Sequence, residues 1–283
     1  MQVNLVVVSF LHINTIVKAF DTLPKEFHHF PDLEEIKNYF NDERHPYAKT
    51  ILETYEKKCT YPEANKVSNR TKPFIVVEGN HRGSRELIAK QLARKMNARY
   101  LTNLAPCLFE LFHYLSHGSV IRRVFYLLSV YAAAQEAQHF LNKGRAVIIN
   151  GYWWEQVTYS LLQSLKEAPT PSISSPVFIH PPDLPTPDLT IFVDLPESLS
   201  MDSPKRPNFI KYRSVEMYET LSAKYPVMVL SMAEFYKMAI NHVYDNIRQN
   251  LSDHIDFETP ERRTLPTILD DFDCSSSEYS QSN

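Results

Sequence analysis

The sequence predicts an α/β fold, a three-layer sandwich with a parallel sheet between layers of helices. Two observations carry that prediction. From residue 72 onward, short apolar, β-branched runs alternate with stretches of helical spacing, the pattern of buried parallel strands joined by right-handed crossovers. The first such unit, KPFIVVEGNHRGSRELIAKQLARKM over residues 72–96, joins a continuous apolar strand to a helix through a sharp glycine turn. A strand, a glycine turn and a helix in that order are the outline of a phosphate-binding loop.

Each element follows from its residues. Residues 74–77 are the first strand, ended by Gly79 where the chain must bend. The 283-residue chain has 5 glycines, below the usual share of about 7%, so the pairing of Gly79 with Gly83 in one turn is informative. Residues 98–101 read as the second strand, 106–115 and 120–141 as helices, 146–149 as a strand and 154–165 as a helix. The proline-rich stretch 168–187 forbids regular structure and predicts an extended loop. After it come a strand at 189–195, a helix at 215–224, a strand at 227–230 and an amphipathic helix at 233–251.

Three divisions result. Residues 1–71 form an N-terminal helical extension and linker, with amphipathic helices at 32–39 and 47–59. Residues 72–252 hold the alternating α/β pattern, and residues 253–283, ending LDDFDCSSSEYSQSN, lose hydrophobic periodicity and read as a disordered acidic, serine-rich tail.

A net charge of −3 gives no electrostatic case for a nucleic-acid or anionic-membrane partner. The apolar run at 3–11 is far short of the roughly 20 residues a spanning helix needs. It lacks the basic flank and cleavage site of a signal peptide and makes a poor mitochondrial presequence, so an intracellular location, cytoplasmic or mitochondrial, is expected. The three cysteines Cys59, Cys107 and Cys274, odd in number and without metal-ligand spacing, predict free thiols in a reducing compartment. His28, His29 and His45 are expected to be solvated or locally packed rather than metal ligands.

In the Walker A frame, G-x-x-x-x-G-K-[ST], the turn reads Gly79, Asn80, His81, Arg82, Gly83, Ser84, Arg85, Glu86. Ser84 stands at the second glycine, Arg85 at the lysine and Glu86 at the magnesium-binding hydroxyl. An arginine keeps the charge but exchanges a compact ammonium for a planar fork. A carboxylate among triphosphate oxygens repels them unless a metal intervenes, so Glu86 reads first as a helix N-terminal cap and second as a direct magnesium ligand.

The runs KPFIVVEG, INGYWWEQVTYSL and LPTPDLTIFVDLPESL, with the helix VIRRVFYLLSVYAAAQEA between the first two, resemble in order and spacing the thymidylate kinase superfamily, with the second, mitochondrial type of UMP-CMP kinase nearest. The likeness covers about residues 72–251. It implies a P-loop nucleoside monophosphate kinase-like sandwich with a mobile lid, and transfer of the γ-phosphoryl group of ATP, with magnesium, to a pyrimidine nucleoside monophosphate. It further implies phosphate binding by Gly79, Arg82, Gly83, Ser84, Arg85 and Glu86, with Arg85 catalytic if the enzyme is active. Monophosphate and base contacts fall to Arg122, Arg123, Phe125 and Tyr152, and lid contacts to Lys205 and Arg206. At the family's Asp-Arg-Tyr this chain has Asn150, Gly151 and Tyr152, and His81 replaces a loop Asp.

Phosphoryl transfer rests on positioning and charge neutralisation. Losses at several groups serving one transition state leave little rate. The expectation is therefore a catalytically degenerate homologue, a pseudokinase with residual nucleotide binding, using ATP and magnesium where that binding survives. Two alternatives stand beside it: an active kinase for dTMP, UMP or CMP with a rewired site, and a ligand-free interaction protein. A homodimer or a protein partner, such as an active kinase, is expected under the first and third.

Overall fold

The computed structural model describes residues 27–61, 71–165, 168–195, 209–232 and 236–251. The expectations for residues 1–26, the linker from Glu63 up to residue 70, the lid residues Lys205 and Arg206, Cys274 and the 253–283 tail lie outside the described residues.

The apolar runs form strands β1 (Phe74–Gly79), β2 (Arg99–Thr102), β3 (Val147–Asn150), β4 (Leu189–Asp194) and β5 (Val227–Ser231). Among the described residues they make one five-stranded sheet in the order β2-β3-β1-β4-β5, with every pairing parallel. From the central β1 the chain crosses to the edge strand β2, returns inward to β3, and then passes over β1 to β4 and outward to β5. The C-terminal ends of β1, β3 and β4 thus flank a topological switch point, where open α/β sheets place their ligands.

Side chains alternate across β1 because a strand has a period of two. Phe74 and Val76 enter one apolar cluster, Ile75 and Val77 the other. The second cluster is closed by helices α3 (Arg82–Lys95) and α7 (Tyr236–Leu251), through Ile88, Ala89, Leu92, Val243 and Ile247. The first is closed by α4 (Val120–Asn142), α5 (Trp153–Leu165) and α6 (Phe209–Ser222). Helices α1 (Leu33–Asp42) and α2 (Ala48–Lys58) share it through Ile36, Phe40, Ile51, Leu52 and Tyr55. The three-layer α/β sandwich is therefore the observed fold.

The structure departs from the expected elements in definable ways. Residues Pro106–Tyr114 form a 3-10 helix rather than an α-helix. Helix α6 begins at Phe209 rather than 215, and its buried Ser214, Met217, Tyr218 and Leu221 keep helical spacing behind the basic, aromatic stretch that obscured its onset. The proline-rich loop holds a 3-10 turn, Pro176–Phe178, whose Val177 and Phe178 are fully buried. Cys59 and Cys107 are not free thiols: they form a disulfide across a sequence separation of 48, joining the end of α2 to the 3-10 segment. The odd total of cysteines concealed a pair that only the packing of α2 against that segment brings together.

Candidate functional site

At the switch point β1 runs closely against the end of β4. Gly79 is required there, because a Cβ would strike the carbonyl of Val193 on β4. Asn80 then ties the two strand ends together: its N–H donates to Val193 O at 3.2 Å, its amide nitrogen donates to Asp194, and its Oδ1 accepts from Leu195 N at 2.9 Å.

Helix α3 starts at once, at Arg82, with His81 in extended backbone as its N-cap. His81 Nδ1 accepts from Ser84 N at 3.1 Å and lies 2.9 Å from Ser84 Oγ, and Arg85 N donates to His81 O at 3.1 Å. Gly83 and Ser84, which the Walker frame assigns to an open loop, are inside the first helical turn. Ser84 has no positive φ. Of the N–H groups along the turn, where a phosphate would be cradled, those of Asn80, Ser84 and Arg85 are satisfied within the protein.

A second helix N-terminus is filled in the same manner. Glu78, the last side chain on the α5 face of β1, is 0% exposed. Its Oε1 accepts from Tyr152 N at 2.9 Å and Glu155 N at 3.0 Å, at the start of α5, and its Oε2 accepts from Tyr218 Oη at 2.7 Å. An anion at a helix N-terminus is favourable, and here the protein supplies it. Burial nevertheless pushes the carboxyl up to about 7, against the opposing pull of Tyr218, the Tyr152 N–H and Arg85. Burial and the neighbouring carboxylate hold the Tyr218 phenol well above its ordinary value, so it remains a donor.

Arg85 and Glu155 form an ion pair that joins α3 to α5. Burial presses the guanidinium below its ordinary value, with Glu78 acting in the opposite sense. Glu155 reaches Arg85 past Gly151, which adopts φ +81° and whose Cβ would collide with Glu155 Oε2 and sit 3.1 Å from Asn103. Asn150, beside Val77 in the register, donates to Tyr100 Oη at 3.1 Å.

The remaining sequence-predicted residues disperse. Arg82 and Gly83 are exposed at the tip of the turn. Glu86 does not cap α3, a role His81 takes, but pairs with Lys90 at 2.7 Å, which pulls its carboxyl below the ordinary value. Arg122 donates to Leu115 O and stacks on Phe112, with its guanidinium carbon 4.0 Å from the ring centroid. Arg123 lies within electrostatic reach of Tyr39 on α1. Phe125 is 0% exposed, inside the apolar core. Tyr152 is buried too, donating to Pro185 O at 2.8 Å and packing edge-on against Phe74. In this structure these four side chains pack the core and the N-terminal helices, and none of them lines the cavity described next.

That cavity, of about 410 Å³, opens between α5 and α6 beside Gly79 and Asn80. Phe192 and the Tyr218 ring, stacked at 4.0 Å, contribute aromatic surface, with Leu162, Ile210 and Tyr159 around them. Thr158, Gln163 and Ser214 add hydrogen-bonding groups, and Glu155 and Lys211 add one charge of each sign. Sequence reasoning missed Glu78, Glu155, Tyr218 and Asn80. For Glu78 a signal existed, a carboxylate within the apolar run FIVVEG.

The residues do not fit a magnesium-nucleotide. Ser84 Oγ is bonded to His81, the Glu86 carboxylate to Lys90, the Glu155 carboxylate to Arg85 and Asp194 Oδ1 to the Asn80 amide, so each of these hard-oxygen side chains, of the kind magnesium takes, is already tied to a protein partner through at least one atom. Among the described residues no group of three or more His, Cys, Asp or Glu side chains is placed to hold a metal ion, and no helix is long and apolar enough to cross a membrane.

Fold and site together define a parallel α/β protein with a phosphate-loop outline wound into helix. No family model and no curated protein matches the chain. Among solved structures it is similar to thymidylate kinase from Candida albicans (TM-score 0.47, 15% identity, covering 65% of this chain and 94% of that one). It is also similar to deoxyadenosine kinase from M. mycoides with bound dATP (TM-score 0.40, 10% identity, 62% and 99% covered). Shikimate kinase from Aquifex aeolicus follows at TM-score 0.35 and 12% identity, with 63% and 98% covered.

Proposed function

We propose that this chain is a catalytically degenerate homologue of the thymidylate kinase superfamily, of the UMP-CMP kinase-like kind. In this reading it binds a nucleoside or nucleotide in the α5–α6 cavity and acts through that binding, alone, as a homodimer or on a partner kinase, without transferring phosphoryl groups. The observation that carries the proposal is the closed turn. Helix α3 begins at Arg82 under a His81 cap, and Arg85 is paired with Glu155. Several of the backbone donors, and the cation at the Walker lysine position, that would neutralise a transferring phosphoryl group are thereby engaged inside the protein.

Two measurements test it. Full-length protein with ATP, magnesium and each of dTMP, UMP, CMP and dUMP should release no ADP above background. Sustained turnover that is lost in Arg85→Ala would establish the rewired kinase instead. Thermal-shift titration with nucleosides and nucleotides should raise the melting temperature for at least one ligand, as any ligand selective for the folded state must. No shift with any of them up to millimolar concentration would leave the ligand-free interaction protein.

A further inference from the structure

The lining of the cavity specifies which form of the ligand it takes. Resting on the proposed function above, we propose that the α5–α6 cavity selects the uncharged nucleoside and discriminates against its phosphorylated forms.

A cavity of about 410 Å³ is of the size that encloses a small organic ligand, since such sites run from roughly 300 to 1,000 Å³. Its surface is that of a site for a flat ring bearing hydrogen-bonding groups. The buried, mutually stacked Phe192–Tyr218 pair backs the cavity, Leu162 and Ile210 supply apolar contact, and Gln163, Ser214 and Thr158 supply the polar groups. Tyr159, 52% exposed, stands at the rim and can close over a ring by stacking.

Among the described residues, a phosphate has no corresponding place at the Gly79–Asn80 end. At the Gly79–Asn80 end it would meet the Glu155 carboxylate, with buried Glu78 behind it. The Asn80 N–H is given to Val193 O, the Ser84 N–H to His81 and the Arg85 guanidinium to Glu155. A phosphate entering there loses water contacts and recovers few donors, which is costly for any ion. Lys211 contributes positive charge at the α6 side of the lining, away from a Glu155 already paired with Arg85, and is the group through which a phosphorylated form would have to be held. Uncharged ring systems incur no such loss.

Isothermal titration calorimetry of the full chain with adenosine, cytidine, uridine and thymidine, and with their 5′-mono- and triphosphates with and without magnesium, tests this. At least one nucleoside should bind, its monophosphate at least about tenfold more weakly, and magnesium should change neither. Leu162→Trp, which fills the cavity, should abolish binding. Tyr159→Ala, at a half-exposed position where folding is not at stake, should weaken it. Equal or tighter binding of a phosphorylated form, lost in Lys211→Ala, would overturn this inference while leaving the proposed function in place. Absence of binding by every nucleoside and nucleotide would overturn both.

Discussion

Glu155, at the start of α5, holds the Arg85 guanidinium of α3 in an ion pair, so the cation at the Walker lysine position is neutralised by a carboxylate of the same chain. Glu155 is also fixed through its backbone, whose N–H donates to buried Glu78. The turn, the pair and the buried carboxylate are thus one connected unit. A change at one member should register at the others.

Glu78 makes part of the stability pH-dependent. Its carboxyl rises from an ordinary 4.5 to about 7 in the folded protein. The folded chain therefore keeps a proton that the unfolded chain has released. This group's contribution is fully present below pH 4.5 and is lost as pH climbs through 7. Urea unfolding of the wild type and Glu78→Gln between these limits should show a falling stability difference that the substitution removes, since the amide oxygen still accepts from Tyr152 and Glu155. Parallel pH profiles for the two proteins would contradict the assignment.

Gly151 should resist any side chain. Alanine at φ +81° costs on the order of 1–2 kcal/mol from backbone conformation alone, and its methyl would displace Glu155 from Arg85. Denaturant unfolding of Gly151→Ala should show at least that loss. Glu155→Ala in the same background should then cost less than it does alone, because the collision it relieves couples the sites. Strict additivity would contradict the packing.

The disulfide ties α2 to the 3-10 segment around a loop of 48 residues in sequence separation. By chain entropy such a closure contributes up to about 4 kcal/mol. Dithiothreitol, or Cys107→Ser, should lower the unfolding midpoint accordingly. An unchanged midpoint under reduction would show that the packing of Ile51, Leu52 and Tyr55 holds α2 without the bond.

The strands were legible because buried parallel strands are written as unbroken β-branched runs, as at Phe74 to Val77 and Val147 to Ile149. The turn was legible in outline and misleading in detail. A Walker frame records residue identities, whereas the decisive fact is that the helix begins at Arg82, under an unusual histidine cap that replaces the common Ser, Thr, Asp or Asn. The Glu155–Arg85 pair joins residues on separate helices and leaves no local periodic mark. Phe125 and Arg122 carry the residue types of a binding site, yet they sit on a 23-residue helix buried along much of its length, where aromatic and cationic side chains serve packing equally well.

The most direct test of internal neutralisation is the binding of tripolyphosphate, free of magnesium, to the wild type and to Glu155→Gln. Releasing Arg85 from its carboxylate should create an anion site where the wild type has none, and Arg85→Ala in the Glu155→Gln background should remove it again. The expected result is no heat of binding for the wild type, measurable binding for Glu155→Gln and none for the double variant. Tight binding by the wild type that Arg85→Ala abolishes would show an Arg85 available to phosphate, and would contradict a turn closed by its own side chains.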